Sequence, residues 1–168
     1  MPAFNTRCLS RLGICLALAL LALAHPVKAQ GVNFTLPDLD NRPVQLADFR
    51  GRWVIVNFWA SWCAPCLLEM PDLQAFHEAH YARAVVIGVN FEEITAREIR
   101  PFLARLGVTF PVALSGGQPV PGFEIKGLPT TFFISPAGQR VGAHLGAVNT
   151  ALLTQRLTEL EQSGRSAR

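Results

Sequence analysis

WVIVNFWASWCAPCLLEMP, running from Trp53 to Pro71, decides the fold. Its first seven residues, Trp53–Trp59, form a near-continuous apolar run rich in β-branched side chains, the pattern of a central strand covered on both faces. Cys63-Ala-Pro-Cys66 follows, and over Cys66–Tyr81 the apolar positions Leu67, Met70, Leu73 and Phe76 recur at helical spacing. Pro71 removes one hydrogen bond from that helix and predicts a kink. Two thiols therefore stand at the seam between a buried strand and a helix N-terminus. Unpaired backbone N–H groups and the helix dipole favour a thiolate there, and Cys-x-x-Cys thiols of this kind have pKa values of ~3.5–7.5. Cys66 lies one helical turn beyond Cys63 on the same side, within reach to resolve a mixed disulfide. Pro65 falls in the first turn, where a missing N–H costs least.

Upstream, Phe34–Leu36 and Val44–Leu46 alternate apolar and polar across a Pro/Asp/Asn turn and predict a short hairpin; Leu46–Gly51 reads as a helical turn. Downstream, Val85–Asn90 is a second buried strand, and Thr95–Leu106 is a helix opened by a capping box of Thr95 and Glu98, with a bend at Pro101. Val112–Leu114 is a short strand followed by the Gly/Pro-rich connection Ser115–Pro121. Thr130–Ser135 is a strong strand, Pro136–Gly138 a turn and Val141–Leu145 the antiparallel partner. Asn149–Gln162 is an amphipathic closing helix, and residues 163–168 form a frayed tail. Strand, helix, strand, helix, hairpin and helix in this order predict an α/β domain around a mixed sheet.

A chain of 168 residues is one domain. Half of it is hydrophobic, 16% is charged and the mean hydropathy is +0.27, which excludes a disordered or collagen-like chain. The surplus of positive charge lies wholly in Met1–Ala29, which holds Arg7, Arg11 and Lys28 and no acid. The remaining 139 residues carry 12 cations and 12 acids, so no nucleic-acid partner follows from the net charge. Residues 1–29 read as a secretory signal, with a positive start, the apolar run Ile14–Ala24 and small residues Val27 and Ala29 ahead of cleavage before Gln30. An uncleaved anchor is the alternative, although that run is shorter than the ~17–25 residues that span a bilayer. Cleavage removes Cys8 and Cys15 and leaves a domain over residues 30–162 with only Cys63 and Cys66. A domain of that size buries about two-thirds of its surface, and a two-residue loop removes little unfolded-chain entropy. The pair is poorly explained as a structural staple.

Other chemistries of such a pair find little support. A structural zinc site needs four ligands, and no second Cys-x-x-Cys or paired His-x-x-x-His follows; His77 and His80 read as surface residues. Copper held by the two thiols and His144 is the non-enzymatic alternative. A thiol peroxidase requires Pro-x-x-x-Thr-x-x-Cys, and the residues ahead of Cys63 lack that proline and threonine. No metal or other cofactor is expected.

WVIVNFWASWCAPCLLEMP, VIGVNFEE, LGVTFPVAL and GLPTTFFISPAGQRV together resemble the exported thioredoxin-like thiol–disulfide oxidoreductases of the TlpA/ResA/DsbE type, within the redoxin group. The resemblance covers about Val32 to Leu160. It implies a thioredoxin fold with an N-terminal β-hairpin and an internal insertion, here within Phe91–Gly122. It implies a redox-active disulfide in which Cys63 is the nucleophile and Cys66 the resolving thiol. Pro129 resembles the family's cis-proline, whose neighbour Leu128 would hold substrate, and Trp59 and Trp62 resemble the aromatics flanking the site. Cytosolic thioredoxins place a buried acid where this chain has Asn57. This chain instead has Glu69, three residues past Cys66 and on the same helix side, a candidate proton acceptor for the Cys66 thiol. Glu92 and Glu93 follow the second buried strand and read as solvated loop residues, with a place on the rim of the site as the alternative. The family implies a periplasmic protein, expected to be a monomer. It would reduce disulfides in client proteins such as apocytochrome c or copper-site proteins, and would draw electrons from a membrane thiol transporter.

Overall fold

The structure, a computed structural model, describes residues 31–166. The leader reading over residues 1–29 lies outside them. Seven strands and three helices follow in the order β1 (Thr35–Pro37), β2 (Pro43–Gln45), a 3-10 turn (Leu46–Phe49), β3 (Trp53–Trp59), α1 (Ala64–His80), β4 (Ala84–Asn90), α2 (Ala96–Arg105), β5 (Val112–Leu114), β6 (Thr130–Ile134), β7 (Arg140–Leu145) and α3 (Thr150–Ser166). β1 and β2 pair as a small antiparallel hairpin, and the other five form one sheet in the order β5-β4-β3-β6-β7. The sheet is mixed: β3 runs parallel to β4 and antiparallel to β6, with Asn57 opposite both Gly88 and Thr131. This is the predicted thioredoxin architecture, with α2 and β5 inside the Phe91–Gly122 insertion.

The apolar runs are continuous because both sheet faces are covered. On one face Ile55, Trp59 and Val86 pack with Met70, Leu73 and Phe76 of α1, Ile99 and Leu103 of α2, and Leu153 and Leu157 of α3. On the other, Val54, Val56, Phe58, Val85 and Ile87 meet Phe34 and Leu46 from the hairpin region and Val120 and Phe123 from the insertion. Phe58 sits among three rings, Phe91, Phe123 and Phe132, with centroids 5.4–6.3 Å away. Burying these side chains supplies the main driving force for folding, roughly 25 cal/mol per Å² of apolar surface. Among the described residues, no helix is long and apolar enough to cross a membrane.

Local signals were realised with few shifts. The Thr95–Glu98 capping box forms, with the Thr95 N–H donating to Glu98 Oε2 at 2.9 Å. α1 and α2 each continue as one element through Pro71 and Pro101. α3 continues to Ser166, past the predicted end at Gln162. His77 departs from its expected surface position: it is 7% exposed, packed against Tyr81 and Phe110. The cause lies in the sheet. β5 pairs with β4 only from Gly88 to Asn90, so the Val86 N–H lies beyond its reach and donates instead to His77 Nδ1 at 3.1 Å. His80 is half-buried, with its Nε2 3.2 Å from the Thr154 hydroxyl.

His77→Leu keeps the apolar contacts and orphans the Val86 N–H. It is expected to lower unfolding stability by about 1–3 kcal/mol, read as a shifted denaturant midpoint at unchanged slope. A midpoint at the parent value would show that the bond carries no net stability.

Candidate active site

β3 delivers the chain to the dithiol. The Trp59 carbonyl accepts from the Phe91 N–H at 2.8 Å, and the turn that follows closes with the Cys63 N–H donating to the Ala60 carbonyl at 3.2 Å. Cys63 is the N-cap of α1 in extended geometry (φ −88°, ψ 94°), its carbonyl accepts from the Leu67 N–H, and Pro65 lies in the first turn. Cys63 and Cys66 form a disulfide, with their Cα atoms 5.3 Å apart. Only the first retains any exposure, 5% against 0% for Cys66. The Leu128–Pro129 peptide is cis. Leu128 packs against the apolar cluster that contains both cysteines, and the Pro129 carbonyl accepts from the Gly146 N–H at 2.9 Å. Gly146 makes that bond at φ 101°, a conformation glycine adopts without a steric penalty.

The two tryptophans part company. Trp62, next to Cys63 in the chain, is 70% exposed. Trp59 does not flank the site's surface, correcting the expectation for it. It is fully buried and stacks on Phe102, with centroids 6.4 Å apart and ring planes 11° from parallel. The reason is strand alternation: Trp59 shares a sheet face with Asn57 and points under α2, not out of the turn.

Glu69 is 2% exposed, not a solvated helix residue. Its Oε1 accepts from Asn57 Nδ2 at 2.7 Å and its Oε2 from the Val148 N–H at 2.7 Å. Asn57 Nδ2 also donates to the Thr131 hydroxyl oxygen at 3.0 Å. Burial pushes the Glu69 carboxyl up to about 7 from 4.5; the two donated hydrogen bonds oppose the shift and the charge of Asp72 adds to it. Asp72 itself is held below the usual carboxylate range by Thr150, whose N–H and hydroxyl both donate to it, tying the start of α3 to α1. A carboxyl that exchanges its proton near neutrality, one turn from Cys66, can accept the thiol proton. The resemblance marked Glu69; its partners Asn57, on β3, and Val148, in the loop ahead of α3, and Thr131 of β6, which bonds to Asn57, are joined only by the tertiary fold.

Glu92 takes the rim position and not the solvated one. It is half-buried and bonded to the turn ahead of Cys63: Oε1 accepts from the Ser61 N–H at 2.8 Å and Oε2 from the Ser61 hydroxyl at 3.0 Å. Glu93 is exposed, as predicted. His144 occupies β7 opposite Thr131. Among the described residues no group of three His, Cys, Asp or Glu side chains is placed to hold a metal.

Comparison with known proteins places this geometry. Residues 27–140 match the model of the AhpC/TSA family. A thiol–disulfide oxidoreductase ResA from Halalkalibacterium halodurans is 31% identical over 128 residues, covering 75% of this chain and 72% of the relative. A Chlorobium tepidum protein assigned as the thiol:disulfide interchange protein DsbE superposes with a TM-score of 0.67 at 27% identity, over 80% of this chain and 98% of that one. An exposed lipoprotein thioredoxin from Streptococcus pneumoniae gives 0.62 at 26% identity, over 76% and 98%.

The Glu69 carboxyl also predicts a pH signature. The folded protein keeps this proton up to about pH 7, whereas the unfolded chain releases it near 4.5. Between those values the folded state binds more protons, so unfolding stability falls as pH rises through that window, by up to about 3 kcal/mol. Glu69→Gln should remove this dependence, as measured by denaturant titration from pH 4.5 to 7.5. An identical slope in the variant would place the titration elsewhere.

Proposed function

The chain belongs to the AhpC/TSA family and is a thiol–disulfide oxidoreductase of the ResA/DsbE type, and we propose that it works outside the cytoplasm as a reductase of protein disulfides. The observation that carries this reading is the pairing of the Cys63–Cys66 disulfide with a buried carboxyl one turn further along α1. Cys63 attacks a client disulfide as a thiolate, forming a mixed disulfide and releasing the first client thiolate. Glu69 takes the proton of Cys66, whose thiolate then attacks the Cys63 sulfur. The second client thiolate leaves, and the Cys63–Cys66 disulfide forms. The client has gained two electrons and the protein has lost two; a dithiol donor, in the cell a membrane thiol transporter, restores them.

Export is supported by the leader over residues 1–29 and by the likeness to an exposed lipoprotein thioredoxin. Client recognition falls to Trp62, exposed beside the disulfide, and to the Leu128–Pro129 backbone. Apocytochrome c and copper-site proteins, whose cysteines must be reduced before a cofactor is attached, are the client classes that the family suggests.

Wild-type protein should reduce insulin with a dithiol donor, and Cys63→Ser and Cys66→Ser should each abolish multiple turnover. Expressed in the periplasm, Cys66→Ser should also accumulate covalent client complexes that vanish with dithiothreitol, and Cys63→Ser far fewer. Equal trapping by both variants, or full turnover by Cys63→Ser, would contradict these roles.

A further inference from the structure

Glu92 lies two residues past β4, yet both its carboxylate oxygens are spent on the dithiol's approach. Oε1 accepts from the Ser61 N–H at 2.8 Å and from Asn90 Nδ2 at 2.6 Å, and Oε2 from the Ser61 hydroxyl at 3.0 Å. The backbone that carries it is fixed from both sides. The Phe91 N–H is bound to the Trp59 carbonyl, and the Ser115 N–H donates to the Asn90 carbonyl at 3.0 Å. Gly117, at φ 73°, lies so near that a Cβ there would stand 3.5 Å from the Glu93 nitrogen. We propose that Glu92 is a positioning residue for the redox couple: it holds the turn that carries Cys63, and its negative charge disfavours the Cys63 thiolate and makes the couple more reducing. The proposal rests on Cys63 being the attacking thiol.

Geometry sets the reach of the charge. Ser61 and Cys63 are two residues apart, and consecutive Cα atoms are ~3.8 Å apart. A carboxylate bonded to Ser61 therefore lies on the order of one Debye length, ~8–10 Å, from the sulfur. No salt bridge among the described residues involves Glu92. Among the described residues, Glu69 lies on α1 three residues past Cys66 and the exposed Glu93 follows Glu92 in the chain, so the ionisable groups next to the two thiols in the chain or bonded to their turn are acids. The first turn of α1 carries no acid, so the helix N-terminus favours the thiolate and Glu92 works against it. A less favoured thiolate makes the reduced form less stable relative to the disulfide, which is the direction a reductase requires.

The full chain with Cys66→Ala leaves one thiol at the site, and its alkylation can be followed across pH on the Cys63 peptide by mass spectrometry. Glu92→Gln keeps the shape and an acceptor oxygen and loses the charge. It is expected to lower the alkylation midpoint by about half a unit or more, with Glu92→Asp closer to the parent. In the two-cysteine protein, Glu92→Gln should move the equilibrium with dithiothreitol about 3–10-fold toward the reduced protein, since a full unit is a factor of ten. A midpoint within about 0.3 unit of the parent together with an equilibrium constant within about twofold, or a midpoint that rises, would overturn the proposal, even if thermal stability falls. Insulin reduction by the unaltered protein is scored separately: its absence would count against the proposed function, and the Glu92 comparison would still stand or fall on its own midpoints.

Discussion

A carboxyl group sealed from water organises this protein. Glu69 is contributed by α1, gripped by an amide from β3 and by a backbone N–H from the loop ahead of α3. Burial drives its proton on, and the two donors drive it off. The balance near 7 lets the proton move either way at physiological pH. That requirement explains two residues that otherwise look misplaced. Asn57 interrupts an apolar strand because a hydrocarbon there would leave Glu69 Oε1 without a donor in the core. Thr131 sits fully buried in β6 because its hydroxyl takes the second N–H of the same amide. The Asn57 amide nitrogen and the Thr131 hydroxyl are thus bonded, as buried polar groups are required to be, while Asn57 Oδ1 has no hydrogen-bond partner.

Topology then brings the chemistry to one end of the sheet. β3 and β4 are parallel, so Trp59 and Asn90 end side by side, and the segments that follow them carry Cys63 and Glu92. β6 runs the other way, so its start, with Pro129 just before it, reaches the same end. Three loops from distant parts of the chain therefore converge where two thiols meet a helix N-terminus. The crevice at the carboxyl ends of strands is the usual ligand site of open α/β sheets. Here it holds a covalent redox couple.

Much of this was legible in the residues. The run Trp53–Trp59, the thiol pair behind it and the Thr95–Glu98 cap each announce themselves within a few positions, because strand burial, helix starts and caps are local physics. Glu69 was marked by the family resemblance, and its spacing from Cys66 put it on the same helix side. What stayed hidden depended on register. Asn57 meets Thr131 across 74 positions of sequence, and Val148 meets Glu69 across 79. His77 looked like a surface helix residue because nothing local tells that β5 is too short to bind the Val86 N–H. Trp59 was matched by resemblance to an aromatic flanking the site, and only strand alternation turns it inward. Glu92, two residues past a strand, resembles any solvated loop acid until the Ser61 turn is placed against it.

The most direct measurement follows the Glu69 carboxyl itself, by the pH titration of its side-chain carbon resonance in carbon-13-labelled oxidised protein, assigned by comparison with Glu69→Gln. A midpoint close to 7 is expected, shifted in the reduced protein where the Cys66 thiol becomes a second titrating neighbour. A midpoint near 4.5, the same in both redox states, would mean that the carboxyl is an ordinary solvated acid and takes no part in moving the proton of Cys66.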